Sequence, residues 1–210
     1  MKYIIMCGGD YHEKLPRQLL VLDGEPIIAR TIRQLRANGV EDIAISSLDS
    51  RFDGYGVPRL EHANNYVCGD PKTFWISAFY PTDYPVCYIF GDVVFSDEAI
   101  KTIVETQTDS IEFFAAAPPF DHRYIKTWAE PFALKVMKPK QFAMALYRCR
   151  QFAKANAFAR APIMWELWQV IKETPLNEIC TNYVVINDFT CDVDDANDVR
   201  ELIQKCGGKI

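Results

Sequence analysis

An α/β fold with a mostly parallel central sheet, covered on both faces by helices, is the class this sequence predicts. Three observations predict it. Short apolar runs alternate with segments whose apolar residues repeat at helical spacing, the pattern of strands joined by crossover helices. The first run, Tyr3 to Cys7, is apolar without alternation, as a strand buried on both faces requires, and it ends at Gly8-Gly9. The chain has 210 residues, 49% of them hydrophobic, which suits one domain over residues 1–210, and no linker-like stretch divides it.

Pro26 to Asn38 reads as the first helix. Pro26 suits its first turn, Ile28, Ile32 and Leu35 form one face, and Gly39 ends it. Asp42 to Ser47 reads as the second strand. Leu48 to Val67 is rich in turn residues, and Pro71 to Phe79 is expected to be helical. Val86 to Phe90 is a strand ending at Gly91-Asp92. Ser96 caps the next helix, with Asp97 and Glu98 in its first turn and Ile100, Ile103 and Val104 inward. Ile111 to Ala117 and Phe132 to Met137 return to the sheet. Lys140 to about Phe158 and Ile163 to Ile171 are helical, the second with a stripe of Met164, Leu167, Trp168 and Ile171. A strand near Tyr183 to Ile186 precedes a final helix from about Asp195 to Cys206, which buries Val199, Leu202 and Ile203.

Composition excludes several classes. A net charge of −5 argues against bulk nucleic-acid binding. No apolar run has the length of a membrane span or a signal segment, so a cytoplasmic location is expected. Seven scattered cysteines, an odd number without a Cys-x-x-Cys pair, fit a reducing compartment and argue against structural zinc.

The chemistry is carried by short blocks. Gly8-Gly9 follows the first strand at its carboxyl end, where open α/β sheets place ligands, and glycines let several N–H groups approach one anion. Leu15-Pro-Arg-Gln-Leu19 and Leu22-Asp-Gly-Glu-Pro26 come next, and a basic side chain beside Pro16 can pair with phosphate oxygens. Further on stand Tyr88-Ile-Phe-Gly-Asp-Val-Val-Phe95 and Val193-Asp-Asp-Ala-Asn-Asp-Val199. The set, in this order, resembles the nucleotidyltransferase family that includes the sugar-1-phosphate nucleotidylyltransferases and the MobA-like enzymes. Where that family has Pro-Lys-x-Leu this chain has Arg17, and its loop Asp10 to Lys14 lacks the family's further Gly and Arg.

The resemblance implies a single Rossmann-like (GT-A-like) domain. It also implies transfer of a nucleoside monophosphate from a nucleoside triphosphate to a small phosphorylated acceptor, with release of pyrophosphate. A sugar phosphate, or a phosphocholine-like acceptor, is the expected partner. A homodimer is admissible, and neither nucleic acid nor a membrane is expected. In such a reaction two anions must meet, so Mg²⁺ is the implied cofactor; it takes hard oxygen ligands at about 2.1 Å, usually with one or two protein carboxylates. On this match Asp92 is the first metal ligand rather than a plain turn residue. Asp194 is the second, although Asp194 and Asp195 can equally cap the last helix, and the two roles are compatible. Cys7, Gly8 and Gly9 line the nucleotide, Arg17 and Lys14 reach its triphosphate, and Thr73 or Ser77 contacts its base or sugar; Trp75 is expected in the core.

Charge counting adds one more candidate. Pro131 to Trp165 contains no Asp or Glu but carries Lys135, Lys138, Lys140, Arg148, Arg150, Lys154 and Arg160. Lys135, on a strand-like stretch, is assigned to the acceptor phosphate as a catalytic residue beside Arg17 and Asp92. Trp165 and Glu166, off the stripe of their helix, are expected to face the acceptor or a partner subunit. Two alternatives stand beside the transferase: a glycosyltransferase of related architecture, for which Asp192-Val-Asp194 would be the Asp-x-Asp motif, and a non-catalytic nucleotide sensor on the same scaffold.

Overall fold

The computed structural model describes residues 1–8, 15–62, 72–116, 130–176, 178 and 182–206. The chain enters through β1 (Lys2–Met6), a 3-10 turn over Arg17–Leu19, the short strands β2 (Val21–Leu22) and β3 (Glu25–Pro26), and α1 (Ile27–Ala37). It continues through β4 (Ile43–Ser46), β5 (Arg59–Leu60), β6 (Val86–Phe90), β7 (Val93–Val94), α2 (Asp97–Glu105), β8 (Ile111–Ala116) and β9 (Pro131–Val136). Helices α3 (Pro139–Lys154) and α4 (Met164–Lys172), strands β10 (Val184–Ile186) and β11 (Cys191–Asp192), and α5 (Ala196–Lys205) complete it.

Seven strands form the central sheet in the order β10-β8-β9-β6-β1-β4-β5. β9 runs antiparallel to both β6 and β8, and the remaining described pairs of this sheet are parallel. The predicted α/β class with a mostly parallel sheet is therefore what the chain forms. Because β1 and β6 pair in parallel, with Met6 opposite Phe90, the Cys7-Gly8 and Gly91-Asp92 segments leave the sheet at the same rim. Gly91 N–H extends that pairing by donating to the Met6 carbonyl at 3.1 Å.

The main core lies across both faces of the sheet. A second, smaller core joins Leu22 and Ile27 from the first quarter of the chain to Val94 and to Cys191, Val193, Val199 and Leu202 from its end. That patch matters for function: it holds the segment after Pro16 against the segment carrying Asp194.

Two predicted helices differ from the structure. The described part of the Pro71 to Phe79 segment is a series of turns ending in a 3-10 turn over Ile76–Ala78. Packing decides it, because Trp75 sits edge-on to Phe79 and Phe90, and Phe79 to Tyr88 and Phe142. α3 stops at Lys154, short of Phe158. Asn156 adopts the left-handed conformation (φ 54°), and Ala157 N–H turns back to the Phe152 carbonyl at 2.9 Å, a helix-terminating arrangement. Ser96 caps α2 as expected, accepting from Ala99 N–H at 2.9 Å.

Candidate active site

The site is built on the rim where β1 and β6 end. Cys7 is fully buried there, its amide bonded to the Ser46 carbonyl at 3.0 Å, and burial followed by the nearby Asp92 charge pushes its thiol pKa well above the ordinary value. Expected to line the nucleotide, Cys7 instead has no exposed surface and packs its sulfur against the Gly91 turn. Gly91 is tightly enclosed: a Cβ placed on it would lie 2.6 Å from the Met6 carbonyl, 2.9 Å from Cys7 Sγ and 3.1 Å from Gln18 Cγ. The buried Gln18 side chain thus sits on the Gly91 turn, and its neighbour Arg17 is carried to the same place.

Arg17 faces two carboxylates. One guanidinium nitrogen, Nη1, is 2.7 Å from Asp194 Oδ1 and 3.6 Å from Asp92 Oδ2. Three residues predicted from separate blocks, at the start, middle and end of the chain, therefore meet. The structure also separates the roles left open for Asp194 and Asp195. Asp195 caps α5, accepting from the amides of Asn197 at 2.6 Å and Asp198 at 3.2 Å, so the Asp194 carboxylate faces Arg17 while its own amide donates to Asp198 Oδ2 at 2.8 Å. The backbones of the two site carboxylates are joined as well, because Val193 N–H donates to the Asp92 carbonyl at 2.8 Å.

Asp92 is under electrostatic strain. Its pKa is pushed up to about 6, first by burial, next by the neighbouring Asp192 charge and less by Asp194, with Arg17 and a backbone hydrogen bond acting in the opposite direction. A carboxylate in this condition gains from a cation. Oδ1 of Asp192 is buried and has no hydrogen-bond partner among the described residues. Among those residues no group of three or more His, Cys, Asp or Glu side chains is arranged to hold a metal. The donor set nevertheless fits magnesium, which uses one or two protein carboxylates and completes its shell with water and substrate phosphate.

The other predicted residues divide. Gly8 is on the rim; Gly9 and Lys14 lie outside the described residues. The segment of Thr73 and Ser77 lies near the end of β6, through the Trp75–Phe90 contact, but the Ser77 hydroxyl and amide are both spent on the Thr73 carbonyl, at 3.1 and 3.2 Å. Lys135 is a correction. It is buried, paired with Cys87 and Glu112 rather than with the rim, and its ammonium donates to the carbonyls of Thr106 at 2.7 Å and Val104 at 3.2 Å. It caps the carboxyl end of α2 and does not face Asp92. Desolvation lowers its pKa, as burial does for an ammonium.

Trp165 and Glu166 are likewise structural. Trp165 packs on Phe113 and Tyr183, and Glu166 accepts from Ile163 N–H at 3.0 Å and Arg160 at 2.7 Å. Two cations of the acid-free stretch, Arg148 and Arg160, are paired with Glu173 and Glu166. Sequence reasoning missed Glu130 altogether. It is 1% exposed, and its Oε2 accepts from the Asp192 amide at 2.8 Å. The only available signal was an acid directly before a proline at the start of an apolar strand.

A comparison with protein-family models gives no match, and one with curated proteins gives none either. Solved structures do match over the whole chain. An inositol-1-phosphate CTP transferase from T. maritima aligns with a TM-score of 0.55 at 13% identity, over 100% of this chain and 97% of its own. The fold is that of nucleotidyltransferases. A Bacillus anthracis protein assigned as a glucose-1-phosphate thymidylyltransferase aligns with a TM-score of 0.60 at 16% identity, over 100% and 96%. The CTP:phosphocholine cytidylyltransferase LicC of Streptococcus pneumoniae aligns at 0.54 and 16%, over 98% of each chain. Among the described residues no helix is long and apolar enough to cross a membrane.

Proposed function

We propose that this chain is a magnesium-dependent nucleotidyltransferase that joins a nucleoside monophosphate to a small phosphorylated acceptor. An acceptor phosphate oxygen attacks the α-phosphorus of a nucleoside triphosphate, the bond to the β-phosphate oxygen breaks, and pyrophosphate leaves. The observation that carries the reading is the convergence of Arg17, Asp92 and Asp194 on the rim that also receives Gly8. Gly8, with its neighbour Gly9, offers backbone approach to the triphosphate, and Arg17 offers a planar fork for its oxygens. Asp92 and Asp194 would hold the magnesium ion, which supplies charge neutralisation between the two anions. Arg17 is held by the two carboxylates, so binding the triphosphate would require it to exchange one set of anions for the other.

The acceptor is a phosphomonoester of a sugar, a polyol or choline. This rests on the neighbours' own substrates, inositol-1-phosphate, glucose-1-phosphate and phosphocholine by their names, together with the whole-chain alignment. The test is pyrophosphate release, measured with each nucleoside triphosphate against a panel of such acceptors. Release that depends on both substrates and on Mg²⁺ is expected for one pair. Nucleotide-sugar consumption without pyrophosphate would replace this reading with the glycosyltransferase.

A further inference from the structure

We propose that Glu130 is the positioning residue that fixes Asp194 opposite Asp92, and so sets the affinity of the site for a divalent cation; this rests on the transferase reading above. Asp194 follows β11, a strand of only two residues paired antiparallel with β7, itself only two residues long. The ladder is short, so beyond the small core around Val94, Cys191 and Val193 the separation of the two carboxylates depends on hydrogen bonds made by this segment's backbone. Successive backbone amides of an extended segment point to opposite sides. On one side Val193 N–H is received by the Asp92 carbonyl at 2.8 Å. On the other, Asp192 N–H meets no strand and is received by Glu130 Oε2 at 2.8 Å. A buried side chain thus takes the place of a neighbouring strand.

Glu130 is suited to this because it is buried and its main chain is tied to the central sheet. It is 1% exposed, and its carbonyl accepts from Ala116 N–H at 2.9 Å, which fastens it to β8 just before β9 begins. It therefore connects the central sheet to the segment of Asp192 and Asp194. Loss of the contact leaves a backbone N–H unpaired and lets Asp194 move relative to Asp92.

Two substitutions separate position from charge. Glu130→Gln keeps an acceptor at the same reach and loses the charge. Glu130→Asp keeps the charge and, one methylene shorter, withdraws the acceptor from Asp192 N–H. Mn²⁺ binding to the full chain is read by electron paramagnetic resonance, with and without the nucleoside triphosphate, alongside the Mg²⁺ dependence of pyrophosphate release. We expect Glu130→Asp to weaken Mn²⁺ binding about tenfold and to recover turnover at high Mg²⁺ with the acceptor KM unmoved, while Glu130→Gln stays within about threefold of the parent. Unchanged binding in Glu130→Asp overturns the proposal, as does equal damage from Glu130→Gln, which would make charge rather than position the cause. Absence of pyrophosphate release by the unsubstituted protein refutes the transferase reading alone, since the Mn²⁺ measurement still decides Glu130; absence of Mn²⁺ binding refutes both.

Discussion

Replacing Asp92 by Asn should abolish turnover and at the same time make the protein more stable. The ionised carboxylate is held in a place that resists its charge, with a pKa lifted from the ordinary 3.8 to about 6 by burial and by Asp192. At about 1.36 kcal/mol per tenfold, that lift corresponds to about 3 kcal/mol of opposition to the charge. The side chain is 31% exposed, so solvent screening leaves about 1–2 kcal/mol. The sign follows from proton binding. Between about pH 4 and pH 6 the folded protein retains a proton that the unfolded chain has released, so this group's contribution to stability falls as pH rises through that window and is constant above it. Asn carries no charge at any pH. In chelator at about pH 7.5 the Asp92→Asn variant should therefore melt about 2–8 °C above the parent, at about 2–4 °C per kcal/mol for a chain of this size, and the advantage should vanish by about pH 4. With Mg²⁺ and the nucleoside triphosphate the order should narrow or reverse, because ligand stabilises the parent more. Pyrophosphate release should fall by more than about a hundredfold. A variant that melts lower than the parent in chelator at neutral pH would refute the strain argument, and one with near-normal turnover would remove Asp92 from the chemistry.

Three further outcomes follow from the same geometry. Gly91→Ala places a Cβ 2.6 Å from the Met6 carbonyl, a backbone atom already engaged by the strand ladder, so it should cost about 1–3 kcal/mol in a denaturant titration and displace Asp92 with loss of turnover; unchanged stability and activity would contradict the enclosure. Lys135→Met removes the ammonium that holds the Val104 and Thr106 carbonyls, so it should lower stability by about 1–3 kcal/mol and leave the acceptor KM alone; a raised acceptor KM at unchanged stability would restore the acceptor role. Arg17→Ala should raise the nucleoside triphosphate KM about ten- to hundredfold and Arg17→Lys less, because Lys keeps the charge without the fork; Mn²⁺ binding without nucleotide should tighten in Arg17→Ala, since the competing cation is gone, and equal mild effects from both changes would place Arg17 outside the site.

Much of the fold was legible because its signals are local. The run Tyr3 to Cys7, the Ser96 cap and the stripe of the last helix each follow from a few neighbouring residues, and each element stands within a residue or two of its expected place. The Pro71 to Phe79 segment misled because its shape is set by Phe90, Tyr88 and Phe142, aromatic partners from elsewhere in the chain. Lys135 misled for a related reason. An absence of acids along the sequence says nothing about which oxygen a lysine meets, and the carbonyls it caps belong to residues about thirty positions earlier.

By itself, then, the sequence determined the α/β class and the common rim of Gly8 and Asp92, and its resemblance singled out Arg17, Asp92 and Asp194, whose ion pairing only the structure shows. Periodicity, caps and glycine turns are short-range properties, and a parallel sheet forces the carboxyl ends of adjacent strands to one side. Tertiary structure alone decided which acid caps α5 and which faces Arg17, that Lys135 is a structural cap, and that Glu130 lies behind Asp192. Those are questions of direction at the ends of side chains. They are answered by burial and by partners far away in the chain, where a single buried amide or carbonyl must find its hydrogen bond and takes the nearest group the fold presents.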